Sequence, residues 1–183
     1  PLLILPVTTI GYAAPGAVLG IGILVPLAFF DNWLADRIFD LTRYDPGLIF
    51  TGTAFAIILA YCVRFFSIAQ QTLDGALGRV SPSLPNAARS LGRNKLQVLW
   101  EIYRPLISTS MATALLLVFV DCVKELPATM LLRPFNFETL ATRVHVQASL
   151  EDLPNAAPGA ILIVLIGLCA VFFLARVNRQ ISN

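Results

Sequence analysis

Four stretches of this sequence are long and apolar enough to cross a bilayer, and that feature removes most folds from consideration. About 20 mostly apolar residues span a hydrocarbon core of roughly 30 Å, and such runs lie at about residues 13–30, 46–65, 106–127 and 157–175. A spanning segment satisfies its backbone hydrogen bonds internally, so all four are expected to be helices. The expected fold class is therefore an all-α membrane protein, a polytopic bundle of about four transmembrane helices. Composition agrees, with 57% hydrophobic and 13% charged residues among 183. The first thirty residues carry no charge, but Pro6, Gly11, the Pro15-Gly16 pair and Pro26 argue against one continuous straight helix there.

Orientation follows from the Lys and Arg of the connecting segments. The long middle segment, residues 66–105, holds Arg79, Arg89, Arg93, Lys95 and Arg104 against Asp74 and Glu101, with Arg64 at its membrane edge. The tail adds Arg176 and Arg179. Residues 31–45 and the segment after the third span are acid-rich instead. Middle segment and tail are thus expected on the cytoplasmic side and the acidic loops outside. The chain opens at Pro1 without a basic region or cleavage pattern, so no signal peptide is visible, and the expectation is a fragment of a longer protein. A net charge of +2, dispersed along the chain, gives no footprint for nucleic acid.

Catalytic and metal chemistry have little to stand on. Cys62, Cys122 and Cys169 lie in or beside apolar runs without metal-ligand spacing and are expected to be buried small hydrophobes. His145 is the single histidine, expected on the surface of an outer loop. There is no phosphate-binding G-x-x-x-x-G-K-[ST] loop, no H-E-x-x-H pair and no G-x-S-x-G elbow. No catalytic residue, metal site or cofactor is expected, and any energy must come from another subunit.

The middle segment is the exception to the oily pattern. Leu84, Ala87, Ala88 and Leu91 recur at i, i+3, i+4 and i+7, one face of a short helix. Ser83 can cap its start, Pro85 suits its first turn and Gly92 suits the left-handed residue that ends it. Leu96, Leu99, Trp100 and Tyr103 repeat the spacing in a second short helix before Pro105. By periodicity alone the pair could equally lie flat on the membrane surface.

The order of residues says more. Asn86-Ala87-Ala88, then Gly92, then Ile102 and Pro105 resembles the cytoplasmic signature of ABC importer permeases, E-A-A, three residues, G, nine residues, I-x-L-P. Asn86 stands where the family usually has Glu, and Arg104 where it often has Leu. "GYAAPGAVLGIGIL" (residues 11–24), Arg64-Phe65 and "DCVKELPATMLLRPFNFETLATRV" (residues 121–144) resemble the ferric-iron branch of that family. The resemblance implies the type I ABC importer transmembrane fold, with residues 1–183 one permease domain, the C-terminal half of a longer permease in the bacterial inner membrane. Within it, residues 66–105 would be the cytoplasmic coupling loop. It implies that Leu84, Asn86, Ala87, Ala88, Leu91, Gly92, Ile102 and Pro105 form the element that docks on a separate ATPase dimer. The further partners implied are a periplasmic or lipid-tethered substrate-binding protein, a second permease half or copy, and membrane lipid. Arg89, Arg93 and Lys95 could pair with acidic residues of the motor or with lipid phosphates. Ferric iron is the cargo implied; thiamine or another solute is the alternative, and a secondary transporter the competing class.

Asp121, Lys124 and Glu125 fall at i, i+3 and i+4, which on a continuous helix puts all three on one face. Charges in a span usually face a bundle interior or a water-filled path. Counted from Pro105, Asp121 lies about 24 Å along the helix, near the outer boundary. Two readings stay open: a structural salt bridge at the rim, with Lys124 serving both carboxylates, or a lining of the translocation path or gate, with Pro127 ending or kinking the helix.

Overall fold

The computed structural model describes Thr9 and residues 11–181, with side chains as far as residue 176. Pro6 and the Arg179 side chain lie outside the described residues. The regular elements from Gly16 onward are helical: α1 (Gly16–Thr42), α2 (Ala54–Leu77), α3 (Ser83–Ser90), α4 (Lys95–Val98), a π-helical turn (Leu99–Tyr103), α5 (Arg104–Val123), α6 (Pro127–Leu132), α7 (Leu140–Ser149) and α8 (Leu153–Ile181). Among the described residues, four helical stretches are long and apolar enough to cross a membrane, Gly16–Thr42, Ala54–Leu77, Lys95–Val123 and Leu153–Arg176.

The count of spans agrees with the sequence, and their ends do not. The first helix was expected to stop at Phe30, but α1 passes through Pro26 and runs to Thr42, so most of the expected acidic loop is helix. It stops at Arg43, whose φ of 57° breaks the repeat. The second starts eight residues later than expected, at Ala54 rather than residue 46, because Thr53 caps it by accepting from the Phe55 N–H at 3.2 Å. It then continues past Phe65 to Leu77, which places Arg64 ten residues, or about 15 Å, inside the helix rather than at its edge.

The expected separate helix before Pro105 is instead continuous with the third span. Asn94 and Gln97 form a reciprocal capping box that starts α4. The chain then passes through the π-helical turn into α5, where the Arg104 N–H reaches back to the Leu99 carbonyl. Pro105 accounts for the widened turn, since its ring crowds the carbonyl four residues earlier and it brings no N–H of its own. Downstream, Pro127 neither ends nor kinks the third span. That helix has already finished at Val123, and Pro127 opens α6.

Packing is concentrated where small residues let backbones approach. Ala56, Ile57 and Ala60 of α2 meet Leu132 of α6, surrounded by Leu19, Ile23, Leu24 and Leu27 of α1, as expected of helices that associate without a hydrophobic drive in lipid. α2 also lies along α5, and α7 folds back on α8. Much of α5 and α8 remains open, with Leu115, Phe119, Leu165, Leu168 and Phe172 exposed. Cys62 and Cys169, expected to be buried, are exposed on the same kind of apolar surface, while Cys122 is half-buried. His145 is exposed, on helix α7 rather than a loop.

Candidate functional site

Two regions gather the polar chemistry of the chain. The first is a buried hub where two helix breaks meet the middle of α2. Arg64 projects from α2 with Nε 3.2 Å from Glu125 Oε2, the two side chains being 18% and 6% exposed. Its Nη1 donates to the Ala14 carbonyl at 3.1 Å, at the bend that precedes α1. Glu125 Oε1 in turn accepts the Ala128 N–H at 3.1 Å, in the first turn of α6. The Thr129 hydroxyl donates to the Glu125 carbonyl at 3.2 Å and meets the Tyr61 hydroxyl at 2.6 Å. One ion pair thus links α2, the α1 entry and the α5–α6 connection.

Glycine makes the approach possible. A Cβ on Gly16 would stand 2.8 Å from Glu125 Oε1, 3.1 Å from Arg64 Nη1 and 3.2 Å from Pro127 Cβ. A charge within a membrane span is costly unless it is paired, and Arg64, inside the apolar helix α2, is found with a carboxylate.

This arrangement corrects the expected triad. Asp121 and Lys124 do pair, at 2.8 Å, but Lys124 is the cap of α5 and Glu125 lies beyond the helix, turned towards Arg64. The i, i+4 relation fails because the helix that would impose it has ended. The hydrogen bond from Lys124 to Asp121 raises the lysine pKa above its ordinary value. Lys124 is 61% exposed, so Lys124→Ala is expected to change stability by less than about 1 kcal/mol. Its melting temperature in detergent should match that of Arg37→Ala; a large drop would put Lys124 back at the centre of the cluster.

The second region is α3 and its exit. Pro82, not Ser83, precedes the helix, and the Ser81 hydroxyl lies 3.4 Å from the Ser83 N–H. Gly92 adopts φ +84°. The Gly92 N–H bonds to the Arg89 carbonyl and the Arg93 N–H to the Ala88 carbonyl, the double closure that a left-handed glycine allows. Leu84, Asn86, Ala87 and Leu91 are exposed, Ala88 is half-buried and Pro85 is buried. Leu91 alone is 84% exposed. Ile102 is half-buried and Pro105 exposed, both in the continuous helix leading to α5. Arg93 pairs with Glu101 at 3.2 Å across the glycine exit, and Arg104 lies 4.7 Å from the Trp100 ring centroid.

Sequence reasoning missed two functional-looking residues. Arg64 was placed at the end of a span. Asp31 was counted among loop acids, yet it is fully buried and its carboxylate accepts N–H groups from Ile49 at 3.2 Å, Phe50 at 3.0 Å and Thr51. Among the described residues no group of three His, Cys, Asp or Glu could hold a metal ion. What the hub offers is a charged contact that ties α2 to the α1 entry and to the α5–α6 connection.

Residues 2–183 match the family described as binding-protein-dependent transport system inner membrane component. The chain belongs to that family, the permeases of ABC importers, and its place is the inner membrane. It is 31% identical over 160 residues to the Fe(3+)-transport system permease protein FbpB 2 of Haemophilus influenzae, a match covering 87% of this chain and 29% of that protein. It is 26% identical over 175 residues to the ferric transport system permease protein FbpB of Actinobacillus pleuropneumoniae, covering 94% and 24%. A putative 2-aminoethylphosphonate transport system permease protein, PhnV, of Salmonella typhimurium is 29% identical over 147 residues, covering 78% and 54%. The chain thus spans under a third of the length of the ferric relatives it matches.

Proposed function

We propose that this chain belongs to the C-terminal half of a permease that moves ferric iron across the inner membrane, driven by a separate ATPase and fed by a substrate-binding protein. The observation that carries the mechanical part is α3. A short helix held by buried Pro85, closed by a left-handed Gly92, and leaving Leu84, Ala87 and Leu91 uncovered has the form of a part that seats in another protein. On this reading Leu84, Asn86, Ala87, Ala88, Leu91 and Gly92 contact the motor, with Ile102 and Pro105 joining that contact to α5. The Lys and Arg bias of the middle segment supports a cytoplasmic placement, which sets Asp121, Lys124, Glu125 and Pro127 on the outer side of the translocation path.

Iron is supported by the ferric relatives, and by hard-cation chemistry only in a negative sense. Fe³⁺ prefers carboxylate and phenolate oxygens, and a carboxylate already held by Arg64 makes a poor trap, as transport requires. Selectivity then belongs mainly to the delivery protein. The test is uptake of radiolabelled iron by cells lacking the permease and carrying the intact gene. Restored uptake of 2-aminoethylphosphonate or thiamine instead would reject the cargo and keep the permease.

Coupling has its own test. Gly92→Val places a β-branched residue at φ +84°, a conformation that costs about 1–2 kcal/mol for a residue with a Cβ, and the surrounding space is open. The strain should tilt α3 and lower uptake per ATP hydrolysed in reconstituted vesicles while the protein still inserts. Parental uptake with normal ATPase binding would sink the coupling role.

A further inference from the structure

The Arg64–Glu125 pair is built unlike a rivet. Arg–carboxylate pairs frequently make two parallel, well-directed hydrogen bonds. Here Arg64 Nε lies within ion-pair distance of Glu125, yet it is buried and its N–H is directed into no hydrogen bond. The two segments it holds are both chain breaks, the bend at Ala14 and the residues between α5 and α6. Hinge motions are absorbed by a few loop or element-terminal residues, where the backbone is free of the i to i−4 ladder.

We propose that Arg64 is a positioning residue whose ion pair with Glu125 works as a breakable latch: closed, it holds the α1 entry and the α5–α6 connection against the middle of α2; open, it lets them part. The inference rests on the permease reading and deepens it by naming the moving joint. Both partners matter as charges. In the closed state each neutralises the other at mid-helix depth, and in the open state each needs water or a new partner, so that opening is tied to hydration of the path. An apolar pair of similar size would fill the same space but would have no such tie.

The experiment exploits that difference. A buried ion pair replaced on both sides by apolar residues often leaves a protein as stable as before. In the full-length permease, assembled with its ATPase and binding protein in vesicles, R64M/E125M is expected to accumulate and melt like the parent. Its solute moved per ATP hydrolysed is expected to fall about tenfold or more. Arg64→Lys keeps the charge and should stay within about threefold of the parent. Parental transport per ATP in R64M/E125M would overturn the latch. Should that variant fail to accumulate, Glu125→Gln decides: about a tenfold fall per molecule is expected, parental transport overturns the proposal, and failure of both variants to accumulate makes the pair a folding element and overturns it as well. Uptake by the parental assembly separately tests the permease reading, since the latch is judged only by the ratio of variant to parent.

Discussion

Asp31→Ala is expected to destabilise the chain by about 3 kcal/mol or more, because it strips one buried, charged acceptor from several half-buried donors at once. The Asp31 carboxylate is fully buried and receives the N–H groups of Ile49, Phe50 and Thr51. Those residues belong to the connection that precedes α2, where no helical or sheet ladder would satisfy them. Each hydrogen bond to a charged acceptor contributes about 1.5–3 kcal/mol, and the three share one group, so they do not simply add. Asparagine should do better than alanine but worse than aspartate, since its amide presents an oxygen to some of the donors and an NH₂ to others. Thermal unfolding in detergent should show a drop of about 6–12 °C for Asp31→Ala and little change for Asp36→Ala, an exposed neighbour on the same helix. Equal melting temperatures for the two would show that the cradle contributes nothing.

Asp31 also shows what a sequence leaves unwritten. Its partners lie 18 to 20 residues away and are backbone groups, so no side-chain pattern announces them. The apolar run ends at Phe30 and residues 31–45 are acid-rich, which suggested a loop, yet Leu34, Ala35, Ile38 and Leu41 keep the helix going until Arg43 turns left-handed. Arg64 was misplaced for a related reason. Apolar character fades after Phe65, but Ser67, Gln70, Gln71 and Thr72 are polar without being helix breakers, and α2 carries on to Leu77.

Local rules fared better. Gly92 was expected in a left-handed turn and is found there at φ +84°, because the need for positive φ at a helix exit is decided within a few residues. The pentapeptide "LPNAA" occurs twice, at residues 84–88 and 153–157, and both copies sit at helix starts, in α3 and α8. The triad of Asp121, Lys124 and Glu125 failed on a single boundary. Pro127 signalled that a helix could not run on, but the helix ended four residues before it, and that shift handed Glu125 from Lys124 to Arg64.

The second large effect is expected at Gly16, where the hub admits no extra atom. Gly16→Val should lower stability by about 3 kcal/mol or more, by overpacking and by prising Glu125 from Arg64. Even the Cβ alone would fall 2.8 Å from Glu125 Oε1. A carboxylate at the end of a flexible side chain normally swings aside, but this one is held by Arg64 and by the Ala128 N–H. The next contacts, Arg64 Nη1 at 3.1 Å and Pro127 Cβ at 3.2 Å, leave no second direction for relief. Alanine should fall between, because it adds the Cβ alone without the two γ methyl groups of valine. Gly22→Val is the matched control, six residues further along the same helix with nothing within 4 Å of its would-be Cβ. Melting temperature and accumulation in the membrane measure both. If Gly16→Val and Gly22→Val behave alike, the hub is loose enough to accept a side chain, and the close approach of α1 to the ion pair loses its meaning.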